Sequence, residues 1–213
     1  MYEILIVGAG GFGREVFQWS KDTFPADQYR VKGFLARPSD SMAQYGLGVD
    51  VVGDADTYAA KENERFLFAI GDVDTKKRMV AGLQSRGARF LTLIHPTAVI
   101  AGSARIGEGV IICPFALVSA NAVVGDFVAV NTYASCAHDS VIGKHSILCP
   151  YATVNGWGIL EDEVFMGTHS TVTPRVRVGY RAKVSANSAV FRDVPSRMLA
   201  IGVPARNCPL ADK

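Results

Sequence analysis

Four histidines, four cysteines and one glycine-rich run are the features of this 213-residue chain whose types could carry chemistry. His138 is followed directly by Asp139. A carboxylate beside an imidazole can orient one ring nitrogen while the other accepts a proton, and an ordinary imidazole titrates near pH 6.5, which suits a base working around neutrality. The four histidines share no metal-ligand spacing, so no catalytic metal is expected. Cys113, Cys136, Cys149 and Cys208 contain no CxxC pair and suggest neither a zinc site nor a disulfide framework. Gly8-Ala9-Gly10-Gly11-Phe12-Gly13 fits GxGxxG between a strand and a helix, the setting in which helix N-terminal amides bind phosphate. The carboxylate that would hold a ribose at the end of the second strand is missing, because the chain reads Phe34-Leu35-Ala36-Arg37 there. A nicotinamide-linked oxidoreductase is therefore a weak reading.

Two kinds of sequence must position these groups. Residues 1–93 alternate short apolar runs with helical stretches: strands over Glu3 to Val7, Val31 to Leu35 and Arg65 to Ile70, and helices after the glycine run and over Asp74 to Gln84. That alternation predicts a small, Rossmann-like α/β domain with a parallel sheet. Gly71 and Asp72 would face the same cleft as the glycine run. From Ile94 every sixth residue is apolar, through Ile100, Ile106, Ile112 and onward to Val190, 17 positions without an insertion. The residue four later is always Ala, Ser, Val or Gly. A fixed short period means a solenoid whose repeats bury their faces by stacking.

The aromatic residues give an independent check. None occupies the sixth-residue position or the small one, whereas Phe115, Phe127, Tyr133, Tyr151 and Trp157 all stand three after an aliphatic residue. A narrow lumen that excludes rings explains this. Phe115, Tyr133, Tyr151 and His169 are spaced by 18, three hexads, so three hexads per coil would stack them at roughly 4.8 Å steps. The inferred architecture is a three-sided parallel β-helix of about five coils over residues 94–194, followed by a tail over 195–213. His169 then stacks on the ladder, His145 is solvated surface, and His95 fixes a turn. Cys136 points inward as a small core residue.

Composition limits the partners. With 22 Lys plus Arg against 20 Asp plus Glu, the net charge of +2 argues against a nucleic-acid or membrane-surface binder. No apolar run approaches the roughly 18 residues needed to span a bilayer, and the N-terminus lacks a basic n-region, so a cytoplasmic protein is expected.

Unbroken hexads resemble those of the left-handed β-helix (hexapeptide-repeat) acyltransferases. The glycine run, Ile94-His95-Pro96-Thr97-Ala98 entering the coils and Gly202-Val203-Pro204-Ala205-Arg206 after them narrow the likeness to the bacterial sugar acetyltransferase branch. Its members act on sialic acid hydroxyls or on nucleotide-linked 4-amino sugars. The resemblance implies acetyl-CoA as donor and a homotrimer with active sites between subunits. It assigns His138 as general base and Asp139 as its partner, within Asn131-Thr132-Tyr133-Ala134-Ser135-Cys136-Ala137-His138-Asp139. Asn131 would touch substrate, as would Gly10, Gly11, Phe12 and Gly71, which hold the nucleotide or sugar. CoA contacts fall on Ile147, Gly156, Thr168 and Ala186.

One coil either side of His138 stand Ala120 and Gly156, small residues that leave an open notch. Family members often carry acids where Leu35-Ala36 stand and a histidine where Phe12 stands, which leaves open a different nucleotide or an unactivated sugar. The expected activity is N-acetylation of a nucleotide-linked amino sugar, with O-acetylation of a hydroxyl as the alternative. A non-catalytic nucleotide-sensing scaffold is a distant third. Arg175, Arg177, Arg181, Lys183 and the tail's cations are expected to meet the phosphates of CoA.

Overall fold

The computed structural model describes residues 1–37 and 40–210. The chain divides into two compact units, Met1–Leu93 and Ile94–Lys213. In the first, β1 (Tyr2–Val7), α1 (Gly11–Thr23), β2 (Tyr29–Leu35), β3 (Val51–Gly53), β4 (Glu64–Phe68) and α2 (Val73–Ser85) follow one another. The four strands form one parallel sheet in the order β3-β2-β1-β4. Ile4, Leu5, Ile6 and Val7 are all buried, as expected of a central strand in a parallel sheet covered on both faces. β3 is a finding of the structure. Its three residues become a strand only by pairing with Phe34 and Leu35, a non-local contact that no local pattern announces.

The second unit is a left-handed parallel β-helix. Two-residue strands pair in parallel with strands eighteen residues away, for example Val123 with Arg105 and Val141. Three sheets result, of five, six and eight strands. From Ile112 to Val190 every sixth-residue side chain is buried in the lumen. Each buried aliphatic contributes about 1.5–3 kcal/mol as an upper estimate. No ring enters that core, which consists of Ile, Val, Leu, Met, Ala and Cys136.

The turns between faces share one backbone feature. Among the described residues fourteen non-glycine residues have positive φ, and each stands three after a lumen residue, from Phe115 (+60°) to Arg197 (+59°). Left-handed conformation costs an L-residue roughly 1–2 kcal/mol. Inter-coil hydrogen bonds offset it: Asp139 N donates to Ala120 O at 2.9 Å, and Trp157 N to His138 O at 3.1 Å. None of the fourteen is β-branched, because a branched Cβ fits this conformation worst.

The segment read as a tail from residue 195 is largely solenoid. Met198–Ile201 pairs in parallel with the Lys183–Val184 strand, and Arg206–Pro209 returns antiparallel to it. Hexad counting stops at Val190 because the last coil is two residues short. Val194 pairs with Val178 and Ala200 with Val184, sixteen residues apart. Residues 211–213, which include the cation Lys213, lie outside the described residues. Among the described residues no helix is long and apolar enough to cross a membrane.

Candidate active site

His138 and Asp139 occupy one corner of the solenoid. Asp139 takes the left-handed turn (φ +58°), which a short polar side chain tolerates. From there its Oδ2 lies 2.9 Å from His138 Nδ1. An ionised carboxylate only accepts, so Nδ1 carries the proton and Nε2 is left as the basic nitrogen. The other oxygen, Oδ1, accepts the side-chain amide of Asn121 at 3.1 Å, from the coil before. The His138 contact first, and then the Asn121 bond, hold the Asp139 carboxyl below the usual carboxylate range. The imidazole is half exposed, with 51% of its side-chain surface accessible.

The following coil shapes the other side. A Cβ on Gly156 would stand 2.5 Å from His138 Cε1 and 2.6 Å from Nε2, so only glycine leaves the ring in place. Trp157 meets the imidazole edge to face at 4.6 Å and 87°, and Arg175 lies 4.4 Å over the Trp157 ring. Sequence reasoning identified the small flank at Gly156 but missed Asn121 and Trp157, and read Arg175 only as a cation for the phosphates of CoA, not as a group stacked on Trp157. Their signal was the eighteen-residue register, since each belongs to the same corner column as Asp139.

The remaining positions scatter. Asn131 Nδ2 donates to Leu148 O at 2.8 Å, so its amide also ties two coils together. Thr168 and Ala186 are exposed and stacked at a different corner, where Asn187 N donates to Thr168 O at 2.9 Å. Ile147 is buried on a sheet face, at 3% exposure. Beside Thr168, His169 stacks on Tyr151 at 4.5 Å, ending a ladder whose other steps are 5.1 and 4.9 Å. His145 is not solvated surface: it lies half-buried and parallel to Phe127 at 5.3 Å. His95 Nδ1 holds a turn through Thr97 Oγ1 at 2.8 Å. Some late-coil cations are engaged within the solenoid, Arg177 with Glu161 at 3.0 Å and Arg181 with Glu163 at 3.7 Å. Among the described residues no three His, Cys, Asp or Glu side chains group as metal ligands would.

In the first unit the glycine run lies at the carboxyl end of β1 and opens α1. Gly8 has φ +109°, and a Cβ there would stand 2.7 Å from Ala69 O, so glycine is required where β1 and β4 end side by side. Gly10 is the N-cap of α1 and offers no side-chain cap, which leaves the first-turn amides available to an anion. Gly10 and Gly71 are exposed, with open space where a Cβ would be. Phe12 is half-buried, edge-on to Trp19 at 6.2 Å.

The family described as the PglD N-terminal domain matches residues 3–83. GDP-perosamine N-acetyltransferase of Escherichia coli O157:H7 is 30% identical over 214 residues, covering 94% of each chain. UDP-N-acetylbacillosamine N-acetyltransferase of Bacillus subtilis (strain 168) is 38% identical over 124 residues, 53% of this chain and 51% of its own. The crystal structure of PerB from Caulobacter crescentus, in complex with CoA and GDP-perosamine, matches with a TM-score of 0.87 and 30% identity, covering 98% of both chains. The acetyltransferase domain of PglB from Neisseria gonorrhoeae FA1090 gives a TM-score of 0.88 at 25% identity, over 98% of this chain and 100% of that one. A protein with these hexads, this α/β unit and this end-to-end likeness belongs to the left-handed β-helix (hexapeptide-repeat) sugar acetyltransferase family.

Proposed function

We propose that this chain transfers the acetyl group of acetyl-CoA to the amine of a nucleotide-linked amino sugar, with His138 as general base. The observation that carries the reading is the end-to-end likeness to the C. crescentus enzyme solved with both CoA and GDP-perosamine. His138 Nε2 takes a proton from the amine as its nitrogen attacks the thioester carbonyl. The tetrahedral intermediate then collapses, the C–S bond breaks, and the imidazolium returns the proton to the sulfur, giving amide and free CoA. Asp139 keeps Nδ1 protonated through both transfers. Variants of that enzyme with a histidine changed to asparagine or alanine have been solved with the same two ligands, in keeping with a histidine used after binding.

Residues 1–93 hold the nucleotide through the α1 amides and Gly10, Gly11, Phe12 and Gly71, while residues 94–194 perform the transfer. Thr168 and Ala186 form the exposed small-residue ledge for the pantetheine arm, with Ile147, Gly156 and the substrate-side Asn131 as further contacts. That ledge and His138 lie at different corners of one prism. Acetyl-CoA on one subunit's ledge therefore reaches the base of another, within a homotrimer. The exposed rings Phe115, Tyr133 and Tyr151 support such an assembly as apolar surface to be covered. The four cysteines form no disulfide among the described residues, which suits a cytoplasmic enzyme.

A thiol-release assay with acetyl-CoA and a panel of acceptors tests this. Release is expected with a GDP-linked 4-amino sugar, while release only with free sialic acid or another sugar hydroxyl overturns N-acetylation. Mass measured in solution tests the trimer: three chains are expected, and a stable monomer at full activity contradicts it.

A further inference from the structure

The corner column that carries Asp139 changes character along its length. Ser103, Asn121 and Asp139 form a polar run, and Trp157 and Arg175 continue it as a stacked pair. Asn121 takes the left-handed turn at φ +59°, its backbone N–H donates to Ser103 Oγ at 3.0 Å, and its amide reaches forward one coil. Because an ionised carboxylate has no hydrogen to give, the group facing Asp139 Oδ1 is the NH2 of Asn121. Among the described residues no other hydrogen bond reaches Oδ1, so without Asn121 the carboxylate is held through Oδ2 alone.

We infer that Asn121 is a positioning residue for the base: its amide locks the Asp139 carboxylate so that Oδ2 meets His138 Nδ1. The inference rests on the proposed role of His138. Asn121 itself touches neither donor nor acceptor in this scheme and acts through Asp139. Asp139 and Arg175, which lies over the Trp157 ring, are the charged groups in the contacts around the imidazole. The bond therefore governs orientation and tautomer more than net charge.

Asn121→Gly is the clean test, because glycine adopts φ near +60° without strain and only the side chain is lost. We expect kcat to fall about tenfold, as for other removed outer-shell partners, with KM for acetyl-CoA and acceptor within about twofold. In a double-mutant cycle, adding Asn121→Gly to Asp139→Asn should cost nothing further, because the carboxylate it orients is already gone. Nitrogen-15 NMR of labelled histidine should show His138 as the Nδ1–H tautomer in the parent and a mixed population in Asn121→Gly, a readout that needs no turnover. Unchanged kcat and tautomer, or a full tenfold loss added to Asp139→Asn, would overturn the positioning role. Absence of acetyl transfer by the parent to every amino sugar would overturn the function instead, and leaves the tautomer comparison to decide the role of Asn121.

Discussion

Two corners of this solenoid share a backbone conformation and use it for opposite ends. At one, Phe115, Tyr133, Tyr151 and His169 stack face to face in three steps of 5.1, 4.9 and 4.5 Å, and like meets like through four coils. At the other, Asn121, Asp139 and Trp157 occupy the same left-handed position, but each differs from its neighbours in charge or shape. The residue just before each turn differs as well. Thr132, Pro150, Thr168 and Ala186 all carry a Cβ at the stacked corner, whereas the base corner reads Ala120, His138 and Gly156. The repeat supplies a rigid periodic frame, and the chemistry proposed for this chain is placed where the side-chain ladder is interrupted. An imidazole needs a missing Cβ above it and a carboxylate beside it, and a uniform ladder offers neither.

Gly156→Ala breaks the difference between the corners most strongly. A methyl group 2.5 Å from His138 Cε1 must displace the ring, so kcat should fall by about a hundredfold, as for an ångström-scale misplacement. A steady-state assay that finds kcat within about twofold of the parent would show that the notch is dispensable. Asp139→Asn keeps the turn but loses the orienting charge, and a loss of about ten- to a hundredfold in kcat is expected, measured by the same thiol release. At the stacked corner, Tyr133→Asn keeps a residue that tolerates the turn while removing two ring contacts. Denaturant unfolding should then report about 1–3 kcal/mol less stability. No loss would mean that the ladder is decoration.

The smallest effect concerns pH. His138 and Asn121 hold the Asp139 carboxyl below its ordinary value, so its folded-state pKa lies below the unfolded one. The stabilisation is complete above the ordinary carboxylate value, near 3.9, and is lost as pH falls through the lower folded value. The difference in melting temperature between the parent and Asp139→Asn should shrink as pH falls below about pH 4. A gap that closes near neutrality would contradict the assignment.

Much of this was legible in the residues. Seventeen apolar positions in register defined the lumen, and the absence of rings from it defined its width, because both follow from repetition along one chain. The left-handed turns were written there too, as a column of aromatic, Asn, Asp, Glu, His and Arg residues with no β-branched member among those from Phe115 to Arg197 that take the turn. That pattern is easily mistaken for steric exclusion alone. What escaped notice is non-local or breaks the period. β3 depends on pairing with β2, the last coil is two residues short, and His145 is covered by Phe127 from the coil before. At the proposed base, the adjacency of His138 and Asp139 and the small flank at Gly156 could be read in the sequence. The hydrogen bond from Asn121 could not, because many residue types could occupy a polar corner and only the geometry shows which one donates.

The most direct test is CoA release by His138→Asn beside the parent, with acetyl-CoA and a GDP-linked 4-amino sugar. Loss of about 10²–10⁴ in kcat is expected for removal of a general base, with both substrates still bound and the oligomer intact. Undiminished turnover by a correctly folded His138→Asn protein would contradict the role of this corner.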